Sequence, residues 1–152
     1  MQFLEQTLIL LKPDAVQRGL VGAILGRLEQ RGLKIAAMRV LQMDAALAGR
    51  HYEAHVDKPF YKGLVSFITA GPIVAAVLEG PNAVAVVRST MGDTNAGKAA
   101  PGTIRGDFAV DIGRNLIHGS DAPDTAQREI ALFFEPAQIL SYARANDPWI
   151  VE

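Results

Sequence analysis

Two short apolar runs, Thr7-Leu8-Ile9-Leu10-Leu11 and Ile73-Val74-Ala75-Ala76-Val77-Leu78, constrain this chain more than any other feature. Each has the length of a strand, and neither alternates with polar residues. The first reads as buried on both faces and the second as another buried strand. Lys12-Pro13-Asp14 ends the first run, because proline cannot continue a central strand and holds Lys12 extended at the strand end. Gly71-Pro72 precedes the second.

Between and after these runs the pattern changes to helical spacing. Leu20, Ile24, Leu25 and Leu28 predict a helix from Leu20 to Arg31, capped by Gly32. Lys34 to Met43 reads as a strand, and Asp44 as the N-cap of a helix reaching about His55. Helices follow over Phe60–Ala70 and, after Pro81-Asn82, over Ala83–Met91. Gly92 to Asp111 reads as one long loop of the kind often kept for function. Leu116 and Ile117 open the last core strand, Asp124–Phe134 forms a helix, and the tail from Glu135 is mostly irregular. The order of elements predicts an α+β sandwich: one mostly antiparallel sheet with helices on one face.

Length and composition narrow the class. The 152 residues fit one domain, 1–152. With 49% hydrophobic and 20% charged residues, the chain is not disordered. A net charge of -1 gives no global basic field, so no nucleic-acid partner is required. The absence of cysteine excludes disulfides and thiolate metal sites and fits a cytoplasmic protein. The start, Met1-Gln2-Phe3-Leu4-Glu5, lacks the features of a signal peptide. No apolar run approaches the roughly 20 residues needed to cross a membrane.

Three groupings offer chemistry. Gly92-Asp93-Thr94-Asn95-Ala96-Gly97-Lys98-Ala99 has the glycine and lysine spacing of a phosphate-binding loop, but Ala99 stands where Ser or Thr would hold magnesium. His51 and His55 are four apart and, with His118, offer three zinc ligands, yet Tyr52 and Ala54 fill the positions of the glutamate that zinc-protease motifs require. The third grouping is distributed. In Asn115-Leu116-Ile117-His118-Gly119-Ser120-Asp121, a histidine lies between apolar residues and a glycine, and a ring nitrogen there serves as nucleophile or base. Lys12, Arg88, Arg105 and Arg114 stand at element ends or in the long loop. Converging on His118, they would make a cationic pocket suited to phosphoryl transfer. Glu129 would fix the imidazole's tautomer, Ser120 would hold Glu129, and Phe60 would offer an aromatic face to a base.

Four segments together resemble the nucleoside diphosphate kinases over essentially the whole chain. They are Leu11-Lys12-Pro13-Asp14-Ala15-Val16; His51-Tyr52-Glu53-Ala54-His55 with Lys58-Pro59-Phe60-Tyr61; Gly102-Thr103-Ile104-Arg105-Gly106-Asp107-Phe108; and Asn115 to Asp121. The resemblance implies a ferredoxin-like α/β sandwich, with helices packed on a four-stranded antiparallel sheet. It implies ping-pong transfer of the γ-phosphoryl group from ATP or another nucleoside triphosphate to a nucleoside diphosphate, through a phosphohistidine at His118. By the same resemblance Lys12 and Asn115 contact sugar hydroxyl and phosphate, and Arg88, Thr94 and Arg105 bind phosphates. Phe60 stacks on the base opposite Ile112, Tyr52 lies beside His118 and Lys12, and Glu129 and Ser120 orient the ring. Magnesium is expected through the nucleotide phosphates rather than on protein ligands. The apolar ending Trp149-Ile150-Val151 is similar to that of hexameric family members, with a tetramer as the alternative.

Overall fold

The computed structural model describes residues 4–152. Met1–Phe3, read above for targeting signals, lie outside the described residues. The elements run β1 (Glu5–Leu11), α1 (Pro13–Gln17), α2 (Val21–Gln30), β2 (Lys34–Leu41), α3 (Ala45–His51), α4 (Tyr61–Ile68), β3 (Ile73–Gly80), α5 (Ala83–Met91), α6 (Ile104–Phe108), β4 (Ile117–Gly119) and α7 (Pro123–Phe133). Short 3-10 turns add Glu53–His55, Ala96–Lys98, Pro136–Gln138 and Asp147–Trp149. The sheet order is β2-β3-β1-β4, and every neighbouring pair is antiparallel.

The two apolar runs become β1 and β3, the inner pair, in register from Glu5 opposite Gly80 to Leu11 opposite Val74. Successive side chains of a strand point to opposite faces, so a run without alternation needs cover on both. Ile9 and Leu11 pack with Ile24, Leu28, Val87 and Met91. Leu8 and Leu10 pack with Met43, Ile68, Ile130 and Phe133. The expected single helical layer is therefore corrected: α2 and α5 cover one face, and α3, α4 and α7 the other.

Local differences have local causes. The strand expected to reach Met43 ends at Leu41, after a register shift between Ile35 and Ala37. Asp44 caps α3 as expected, accepting from the Leu47 N–H at 2.8 Å. That helix stops at His51, however, and a 3-10 turn carries Glu53–His55. Asn82 takes the position before α5 but sits left-handed at φ 53°, and its side chain makes no cap hydrogen bond. The Glu5 carboxylate, 79 residues earlier, accepts from the Val84 N–H at 2.8 Å instead. The stretch Gly92–Asp111 is not one loop, for it contains α6, capped by the Thr103 side chain. Leu116 lies outside β4.

Candidate active site

The site begins with the pairing of β4 to β1, which sets Leu10 opposite His118 and Leu11 opposite Ile117. Where β1 ends, Lys12 is extended (φ -76°, ψ 172°) and Pro13 opens α1, as its fixed φ and missing N–H allow. The Lys12 N–H donates to the Leu116 carbonyl at 2.8 Å. The Leu116 N–H donates to Asp14 Oδ2 at 3.0 Å. Leu116 is held between these bonds at φ 74°, a left-handed conformation costing a leucine about 1–2 kcal/mol. This clamp joins segments 102 residues apart and aims the chain into His118. In the sequence Asp14 stands only as part of the strand stop; its first-turn position after Pro13 is the one readable signal of this role.

His118 Nε2 lies 2.9 Å from Glu129 Oε2, and the Ser120 hydroxyl donates to Glu129 Oε1 at 2.6 Å. Glu129 comes from α7 and is almost fully buried. Burial works to raise its pKa, but the hydrogen bond and charge of His118, the Ser120 hydroxyl and the charge of His51 outweigh it and hold the carboxyl down at about 2. An ionised Glu129 requires the proton on Nε2, which leaves the Nδ1 lone pair bare on the far edge of the ring. The His118 side chain is 27% exposed, enough for that edge to be reached. The His51 ring meets the His118 ring edge-on, with centroids 4.7 Å apart. Aromatic contacts continue through Tyr52 and His55 to Phe60. Burial, then the Glu129 charge, pushes the Tyr52 hydroxyl up to about 12 and keeps it neutral.

The cations gather on backbone carbonyls. Buried Arg105 donates to the carbonyls of Asn115 (3.2 Å), Gly92 (3.0 Å) and Ile117 (2.6 Å). Arg88 donates to the Gly119 carbonyl at 3.1 Å. Lys12 Nζ donates to Asn115 Oδ1 at 2.5 Å, and the Asn115 amide to the Thr94 carbonyl at 2.9 Å. Burial lowers the Lys12 pKa to about 8, and the Arg105 charge adds to this. Burial, then the charge of Arg88, lowers Arg105 to about 10. Both stay charged at neutral pH. Mutually repelling cations held by neutral carbonyls favour an anion between them.

A pocket of about 830 Å³ opens in front of His118, with Tyr52, His55, Arg88, Asp121 and Arg128 on its walls. Phe60 and Ile112 stand apart from the hydrogen-bonded group, each more than half exposed. Arg114, expected in the cationic group, lies with its guanidinium 4.2 Å over the Phe67 ring.

The two competing motifs do not assemble. Lys98 is exposed on a 3-10 turn after a helix, and the Asn95 side chain already takes the Gly97 N–H. His55 is exposed, past the end of α3; among the described residues the grouping with metal-ligand spacing is His51, His118 and Glu129, within 4.8 Å of one another.

Known proteins resemble this chain over almost its whole length. The family model for nucleoside diphosphate kinase matches residues 5–139. A nucleoside diphosphate kinase of Chloroflexus aurantiacus is 57% identical over 151 residues, covering 98% of this chain and all of the relative. One of Archaeoglobus fulgidus is 53% identical over 149 residues, covering 98% of this chain and 99% of the relative. The solved structure of a halophilic nucleoside diphosphate kinase from Halobacterium salinarum in complex with CDP superposes with a TM-score of 0.95 at 51% identity, covering 97% of this chain and 99% of that one. By the matched family model, and by relatives more than half identical over almost all of its length, the chain belongs to the nucleoside diphosphate kinase family.

Proposed function

We propose that the chain moves a γ-phosphoryl group from ATP or another nucleoside triphosphate to a nucleoside diphosphate in two steps, through a phosphohistidine at His118. His118 Nδ1 attacks the γ-phosphorus while the bond to the β,γ-bridging oxygen breaks, and that oxygen leaves with the nucleoside diphosphate. The ring gains positive charge, which Glu129 meets through Nε2–H, while Ser120 holds the carboxylate still. A terminal oxygen of a second nucleoside diphosphate then takes the phosphoryl group from Nδ1. Lys12, Arg88 and Arg105, with Thr94 and Asn115, bind the phosphates and the sugar, and Tyr52 walls the nucleophile. Phe60 stacks on the base against Ile112; stacking tolerates any base because each has a π-face.

The observation that carries this reading is the setting of His118: its Nε2 is tied to a buried carboxylate, and the ring lines a pocket that Arg88 and Arg128 also line. Magnesium fits as a companion of the phosphates. It takes oxygen ligands and keeps its waters, and both oxygens of Glu129 are already engaged, which leaves Glu53 and Asp121 as the other wall carboxylates. Bound there, it would neutralise phosphate charge. We further read residues 1–152 as one cytoplasmic domain that works as a homohexamer, with a tetramer as the alternative.

The test is to mix protein with γ-labelled ATP and no acceptor. Label should appear on the protein, stable to alkali and labile to acid as a phosphoramidate is, and His118→Ala should abolish it. Label persisting on that variant would remove His118 as nucleophile.

A further inference from the structure

His51 is the anomaly of the site. Its side chain is 1% exposed, yet neither ring nitrogen has a hydrogen-bond partner of good geometry. Leaving buried polar atoms unpaired costs stability, and an apolar ring of similar shape would avoid that cost. The ring ends α3 and is wedged among Tyr52, Phe133 and His118. Its Nδ1 stands 3.3 Å from Glu129 Oε2, the same oxygen that His118 Nε2 approaches at 2.9 Å. Burial, then His118, with Arg128 and Lys12 adding to both, lowers its pKa to about 3 against the pull of Glu129. The ring is therefore neutral at working pH, with one N–H to offer.

We propose that His51 is a positioning residue for the transfer: its Nδ1, 3.3 Å from Glu129 Oε2 and poorly aligned with it, tightens to a hydrogen bond in the reacting complex and holds that oxygen toward His118 from the buried side. The inference rests on His118 being the nucleophile. Ser120 fixes only the other oxygen, Oε1. Glu129 and His118 stand on separate elements, and their bond has to hold while the ring passes from neutral to phosphorylated and back. A rigid donor on the buried side keeps Oε2 in place through that cycle.

The test combines single-turnover phosphorylation from γ-labelled ATP, nucleotide affinity and thermal midpoint. These are measured for His51→Phe and His51→Asn, alone and with Glu129→Gln. His51→Phe should still form phosphoenzyme, but roughly ten- to a hundredfold more slowly, as small misplacements of reacting groups do. Affinity should stay within about twofold, because only the transition state is affected. The thermal midpoint should hold or rise. His51→Asn places an amide N–H where Nδ1 stood and should recover most of the rate. With Glu129→Gln present, His51→Phe should cost little more, since residues acting through one partner are not additive.

An undiminished rate in His51→Phe overturns the proposal, and so does an equal loss in the Glu129→Gln background. Rate, affinity and midpoint falling together in both His51 variants also overturns it, because that is a structural role. If His51→Phe does not fold, His51→Leu takes its place in the same comparison. Failure of the parent to form phosphoenzyme would instead point to the nucleophile assignment.

Discussion

Lys12 and Lys98 are both lysines in glycine- or proline-marked turns, and only their surroundings separate them. Lys12 is drawn under the site by Asn115, while Lys98 is exposed. Lys12→Ala should slow turnover by about 10²–10³, as loss of a preorganised charge does. Lys98→Ala should change it by less than about threefold, as loss of a solvated charge does. Turnover of the two variants side by side decides this, and a large loss at Lys98 alone would reverse the assignment of the pocket. At this scale the sequence was partly legible. The pairing of Glu129 with His118 followed from an acid one helix beyond a histidine. Convergence of the cations did not, because Arg88 and Arg105 are held by carbonyls of Gly92, Ile117 and Gly119 that any residue carries, and Lys12 by the side chain of Asn115, 103 residues away. Nor was the clamp on Leu116 legible, since a left-handed leucine leaves no compositional mark.

Among elements, α6 matters most for its size. Its five residues carry buried Arg105, and at Gly106 an added Cβ would stand 1.9 Å from the Ala100 carbonyl oxygen. Backbone atoms cannot rotate aside, so Gly106→Ala must displace the helix and Arg105 with it. We expect a destabilisation of about 1–3 kcal/mol, the usual cost of overpacking, and a larger loss of phosphate affinity than of base stacking. Denaturant midpoints together with ATP and nucleoside affinities measure both; unchanged values would mean that the turn Ala100–Thr103 yields. Elements were legible in proportion to their length. The apolar runs of β1 and β3 and the period of α2 identified themselves, whereas α1 and α6, at five residues each, are too short to show a period. The expected helix over His55 failed for a different reason: a 3-10 turn continues the chain in the same direction with looser hydrogen bonding, and spacing does not distinguish the two.

For the molecule as a whole, the buried site ties stability to pH. The folded chain keeps His51 neutral down to about 3, whereas an unfolded one takes up its proton near 6.5. Glu129 stays ionised down to about 2 in the fold and protonates near 4.5 when unfolded. In both windows the unfolded state binds more protons, so stability falls with pH, first from 6.5 to 3 and then from 4.5 to 2. The urea midpoint should drop between pH 7 and pH 5 in the parent and stay level in His51→Phe; equal drops would show that another group titrates there. Assembly is the second expectation at this scale. Trp149 is 90% exposed beside a cavity of about 400 Å³ lined by Leu4, Pro81, Pro148 and Val151. Light scattering at micromolar concentration should give the mass of six chains, and a monomer would count against it. The sheet order also has a meaning in time. Ribosomes deliver this chain from β1 onward, yet β1 is an inner strand whose partners are β3 and β4. Sixty or so residues must emerge before β3 arrives, several seconds at about 5–20 residues per second. For that interval an apolar inner strand is unpaired on both edges, and the nascent chain is exposed to aggregation, with the lysine of the future site waiting at its end.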